Sequence, residues 1–251
     1  MSSPTVFAHR GFAGTYPENT CRAVRGAVRD GADGVEIDVQ PTADGDVVVF
    51  HDRLLDSLTD GSGVVWEQST AAVTDARVLA TEERVPLLSD ILSAVPETVT
   101  VNVELKNPGS DAVRPGEALD GEERDAARRR WQSFVESVLA VTDRFGHEVL
   151  FSSFCEGALA ALAESASTDR VAVLIAPNCA DAGETVARRY AVDAVHPPLD
   201  ALGGEASLAA VAADIGSDCN VWTIRTWREA RDALDAGADG LIADYPGLLD
   251  G

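Results

Sequence analysis

The chain has 251 residues, 45% of them hydrophobic, enough to fill the core of one large domain. Forty-two carboxylates against twenty basic residues leave a formal charge of −22, which excludes nonspecific nucleic-acid binding and stable association with an anionic membrane. No apolar run reaches the roughly 18 residues of a spanning helix, and the four cysteines show no CxxC spacing, which excludes a zinc ribbon or a disulfide framework.

In chain order, the strand "TVFAH" starts almost at the first methionine, so no leader peptide is expected, and a helix over "NTCRAVRGAVRDG" follows it. Next come the strand "GVEIDV", a hairpin over "TADGDVVVFHD" turning near Asp44 and Gly45, an irregular stretch from Arg53 to Pro86, and the helix "LLSDILSAV". The strand "VTVNVELK" leads through a polar loop to a helix from about Glu122 to Thr142. The alternation continues with "EVLFSSF", "EGALAALAES", "RVAVLIAP", a helix to Tyr190, "DAVHPP", "SLAAVAADIG", "NVWTIRT", "REARDALDAG" and "DGLIADYP". Eight core strands, each but the last followed by a helix, predict an α/β fold of the (β/α)₈ TIM-barrel kind. Residues 1–251 form one domain in this reading, with a small insertion after the second strand at about 53–86. A doubly wound open sheet is the alternative, disfavoured because no GxGxxG turn follows the first strand.

In such a barrel the reactive groups gather where strands end. "FAHRG", "VEIDV", "VVVFHD" and "VNVELK" all end in polar clusters at that rim. Strand alternation sets Glu36 and Asp38 on one face, and Asn102, Glu104 and Lys106 on one face of the third strand. Two bare charges about 4 Å apart repel by about 4 kcal/mol at an effective dielectric near 20, so three converging carboxylates must be protonated, neutralised by basic side chains, or bridged by a divalent cation. An all-oxygen set without a His or Cys cluster suits Mg²⁺ or Ca²⁺. His9 and His51 then form a pair suited to general acid and base work, with Arg10 and Lys106 aimed at an anionic substrate. His147 is read as structural or solvated. His196 and Trp222, at the ends of strands six and seven, either line the pocket or pack the core. Arg128 to Arg130 are read as a salt-bridged, solvated face.

The ordered set "HRG", "PENT", "VEIDV", "VVFHD", "VELK", "SSF", "NVWT" and "GADGLIADYP" resembles the glycerophosphodiester phosphodiesterase family over nearly the whole chain. The resemblance implies a TIM barrel with a small insertion after the HD motif, and metal-dependent cleavage of small glycerophosphodiesters to an alcohol and glycerol phosphate. It also implies that Glu36, Asp38 and Glu104 bind the metal, His9 and His51 are the catalytic base and acid, Arg10 and Lys106 contact the phosphate, and Glu18 and Asn19 support the site. The family's usual "TDYP" stands here as "ADYP", which leaves the role of the eighth strand open. The nucleophile is water or the substrate's own glycerol hydroxyl; the second would give a cyclic phosphate, as in a phospholipase D-like lyase. Two further rivals are a Schiff-base aldolase built on Lys106 and a noncatalytic barrel that only binds.

Lys106 is the only lysine in the chain. Dense carboxylates and near-complete loss of lysine predict a cytoplasmic protein of an extreme halophile, since molar salt shrinks the Debye length to about 3 Å and screens the repulsion.

Overall fold

The computed structural model describes residues 3–165, 167–203 and 207–249. Nine strands form one sheet, and β1 (Thr5–Ala8) pairs in parallel with both the second strand and the last, which closes it. One strand is antiparallel and lies outside the ring, so eight parallel strands make the barrel. The open doubly wound sheet is thereby excluded.

After β1 the chain makes a 3₁₀ turn over His9–Gly11 and then α1 (Cys21–Arg29), whose first turn is capped by the Thr20 hydroxyl accepting from Ala23 N–H. β2 (Gly34–Pro41) is buried along its whole length. Val35, Ile37 and Val39 belong to the main apolar core, while Glu36, Asp38 and Gln40 alternate with them as buried polar residues. β3 (Val47–Val49) folds back antiparallel on β2, and Phe50 N–H donates to Asp38 C=O at 2.9 Å, which returns the chain at His51 towards Asp38.

Residues 53–86 contain two 3₁₀ turns and α2 (Thr70–Asp75), then lead into α3 (Leu88–Ala94). They gather around a small core of their own, in which Leu55, Val65, Val73 and Val85 pack on Val48 and Phe50 of the hairpin. That satellite core holds this stretch against the strand that precedes His51.

β4 (Thr100–Leu105) pairs with β2 in a register that sets Glu36 beside Asn102 and Asp38 beside Glu104. A loop then runs to α4 (Gly121–Thr142), and the barrel continues through β5 (Val149–Ser153), α5 (Glu156–Glu164), β6 (Arg170–Leu174), α6 (Ala180–Tyr190) and β7 (Ala194–His196). It closes with α7 (Leu208–Ile215), β8 (Asp218–Ile224), α8 (Trp227–Asp235) and β9 (Gly240–Ala243). Between β9 and residue 249 the described chain makes turns without a helix.

Candidate active site at the barrel mouth

The turn after β1 builds the first wall. Arg10 adopts a left-handed backbone (φ 50°), which turns its own N–H onto Glu36 Oε2 at 2.9 Å. Gly11 follows at φ 76°, and a Cβ there would lie 2.7 Å from Ala23 Cβ and 2.8 Å from its backbone, so only glycine lets the turn approach α1. Arg10 Nη1 donates to Glu18 Oε1 at 2.7 Å, and its Nε stands 3.2 Å from Asp38 Oδ2. Asn19 donates to that same Asp38 oxygen at 2.8 Å. Glu18 and Asn19, expected to support the site, thus touch Arg10 and Asp38.

Glu36, Asp38 and Glu104 converge with one oxygen of each within 4.8 Å of the others. All three are buried, and burial together with mutual repulsion sets their charges apart. Glu36 is raised well above the ordinary carboxylate range by burial, Asp38 and Glu104, and burial and Asp38 push Glu104 up to about 7 against the pull of Lys106. Burial would raise Asp38 too, but Lys106 and Arg10 outweigh it and hold Asp38 well below the usual value. Lys106 Nζ donates to Glu104 Oε1 at 2.7 Å and lies 3.4 Å from Asp38 Oδ1. That Oδ1 is buried without a well-aligned hydrogen bond. An oxygen short of a partner beside two carboxylates held toward the protonated form is the environment a hard divalent cation relieves, and the donor set fits one.

Each histidine has one ring nitrogen tied to a carboxylate. His9 Nδ1 meets Asp244 Oδ1 at 2.6 Å, and His51 Nδ1 meets Asp52 Oδ1 at 2.5 Å. Asp244 lies below the usual range because its bond to His9 and the Arg225 charge overcome burial, and Asp52 is lowered by Ser57 and His51. An ionised carboxylate only accepts, so each Nδ1 carries a proton, leaving each Nε2 as the atom that can gain or lose one. Burial lowers His51 itself, with Lys106 and Arg10 acting the same way against Asp38. The His51 loop is pinned from below by Gln40, whose Nε2 lies 2.8, 3.0 and 2.9 Å from the carbonyls of Phe50, His51 and Asp52.

These groups open into a cavity of about 240 Å³. Its floor includes Asn102, which accepts from Ser152 Oγ at 2.8 Å, and its far wall is Phe154, Leu174, Trp222 and Ile242. Trp222 lines this cavity and meets Phe154 edge to face at 5.5 Å. His196 does not reach the cavity: it is fully buried, its Nε2 lies 3.1 Å from Asn220 Nδ2, and its carbonyl accepts from Trp222 Nε1. Burial, with Arg170, depresses it to about 3, so it stays neutral and supports Trp222 from behind. A larger cleft of about 350 Å³, lined by Arg114, Trp131 and Cys155 among others, holds none of the predicted site residues.

Sequence reasoning missed Asp244, Asp52, Gln40 and Arg225. Asp244 was within reach of the rule that found the others, because it directly follows β9 at the same rim.

A TIM barrel whose mouth gathers three buried carboxylates, two cations and two carboxylate-supported histidines is the framework of an enzyme acting on an anion. The chain belongs to the Glycerophosphoryl diester phosphodiesterase family, whose sequence pattern matches residues 9–248. It is similar to the uncharacterised protein YqiK of Bacillus subtilis (strain 168), with 31% identity over 250 residues covering 96% of this chain and 95% of that one. It is also similar to a glycerophosphodiester phosphodiesterase of Bacillus altitudinis, with 29% identity over 251 residues covering 96% and 94%. Among solved structures, the fold is shared with an Oleispira antarctica phosphodiesterase in complex with its product sn-glycerol-3-phosphate, at TM-score 0.78 and 22% identity over 99% of this chain and 97% of that one. A glycerophosphodiester phosphodiesterase from Thermotoga maritima superposes at TM-score 0.77 with 23% identity, covering 100% and 98%.

Proposed function

We propose that this chain is a cytoplasmic, metal-dependent glycerophosphodiester phosphodiesterase that hydrolyses small glycerophosphodiesters to an alcohol and glycerol phosphate. Family membership supports the reaction, and the observation that carries the site assignment is the packing of Glu36, Asp38 and Glu104 between Arg10 and Lys106. Those three carboxylates would hold Mg²⁺ or Ca²⁺, which supplies Lewis-acid stabilisation of phosphoryl charge when bound.

The remaining steps belong to side chains. Arg10 and Lys106 take up the negative charge of the diester, positioned as cations by the carboxylates they touch. His9, held by Asp244, accepts the proton of the attacking hydroxyl on Nε2. His51, held by Asp52, delivers a proton to the departing alcohol oxygen. Burial, with Lys106 and Arg10, lowers its basicity, so an imidazolium there gives up its proton readily.

The Schiff-base alternative fails on Lys106. Burial would lower its pKa, but Glu104 and Asp38 hold it above the ordinary lysine value, so the amine carries a proton and lacks the free pair a nucleophile needs.

The test is product analysis by phosphorus NMR with a glycerophosphodiester, comparing Mg²⁺, Ca²⁺ and EDTA. Glycerol phosphate and alcohol should appear in equal amounts and only with metal. Accumulation of a cyclic glycerol phosphate would replace hydrolysis by the lyase reading. Undiminished turnover in EDTA would remove the metal role.

A further inference from the structure

The mouth of the barrel is divided. Strands β1, β2 and β4 carry the carboxylates, Arg10 and Lys106, while β5, β6, β8 and β9 present Phe154, Leu174, Trp222 and Ile242. Among the described residues lining this second half there is a single cation, Arg225, directly after β8. Its Nε donates to Asp244 Oδ2 at 2.8 Å. Its two terminal Nη groups make no hydrogen bond or ion pair to any described residue.

The neighbouring acids are already engaged. Asp244 uses its other oxygen on His9 Nδ1, and Glu229 accepts the N–H groups of Arg225 and Thr226 at 2.7 and 2.9 Å at the start of α8. Arg10 and Lys106, by contrast, are turned onto Asp38, Glu18 and Glu104. A diester whose phosphate lies against those two cations can lay one of its two organic portions along the apolar wall, where the partly exposed Arg225 guanidinium is the charged group of that half.

We propose that Arg225 is a specificity-determining residue that receives a carboxylate on the organic portion of the substrate, selecting glycerophosphodiesters of an anionic or amino-acid alcohol over those of a purely cationic one. The inference rests on the phosphodiesterase reading above. The planar guanidinium matches a carboxylate with two parallel N–H donors. The aromatic wall does not favour a quaternary ammonium: Lys106 Nζ already stands 5.5 Å from the Phe154 ring centroid, and Trp222 meets that ring edge on.

The experiment compares kcat/KM for glycerophosphoserine and glycerophosphoethanolamine, which differ by one carboxylate, in the wild type, Arg225→Gln and Arg225→Lys at one fixed salt and metal concentration. The wild type should prefer the serine diester by roughly tenfold, a value in the range of charge-assisted contacts. Arg225→Gln should bring the ratio to about one, and Arg225→Lys should keep part of it. A wild-type ratio near one overturns the assignment. So does an equal fall for both substrates in Arg225→Gln, which would mean that Arg225 acts only by holding Asp244 against His9. Absence of turnover with both diesters in the wild type would overturn the phosphodiesterase reading and this assignment with it.

Discussion

Lys106 stands where arginine cannot follow. Its compact ammonium fits between Glu104 at 2.7 Å and Asp38 at 3.4 Å, with Phe154 behind. A guanidinium is longer and planar, and placing one there would displace two of the three carboxylates. Lys106→Arg should therefore retain the fold by circular dichroism and lose roughly tenfold or more in kcat/KM. Glu104 supplies the pH prediction. Its pKa is raised to about 7 from 4.5, so the protonated native form is favoured: its contribution to stability is full below about pH 4.5 and is lost as pH rises through 7. Without metal, the wild type should lose thermal stability between pH 5 and 8 relative to Glu104→Gln. Metal binding must displace that proton, so calorimetric affinity for Ca²⁺ or Mg²⁺ should grow over the same interval, with protons released to the buffer. Glu36, Asp38 and Glu104 were legible because period-two alternation declares which strand residues share a face. The His9–Asp244 pair spans 235 residues of sequence, and Gln40 acts on carbonyls presented by a loop, so neither leaves a local pattern.

At the level of elements, the strands and helices of the barrel follow their hydrophobic periodicity closely, and the long helix expected from about Glu122 begins at Gly121. The stretch after the hairpin carries no periodic signal in the sequence. Its one helix, α2, has six residues, too few to show a helical period, and its two 3₁₀ turns have three residues each. The side chain that ties elements together is Glu156 at the start of α5. It is fully buried and accepts from Leu119 N–H, Arg189 and Tyr190 OH, joining the loop after β4 to α6. Replacing it by alanine leaves Arg189 and the Leu119 N–H without their acceptor. Glu156→Ala should cost about 3–5 kcal/mol in urea unfolding, the scale of a broken buried pair. A loss below about 1 kcal/mol would show that this junction does not hold α5 and α6 to the loop.

For the whole molecule, the excess of carboxylates over basic groups sets the response to salt. Arginines such as Arg114, Arg170 and Arg188 each bridge two carboxylates, yet twenty cations cannot neutralise forty-two anions. Raising KCl from 0.1 to 2 M should increase Tm by about 5 °C or more, as screening removes repulsion that surface pairing leaves. A flat or falling Tm would contradict the halophilic reading. The more central proposal is that this chain cleaves phosphodiesters with a histidine pair set across a carboxylate cluster. Its most direct test is glycerol phosphate release from glycerophosphoethanolamine by wild type and His51→Ala at saturating metal. The wild type should turn over, and His51→Ala should be slower by about 10²–10⁴ with an unchanged circular dichroism spectrum. Full activity in His51→Ala, or no release by the wild type, would contradict the account.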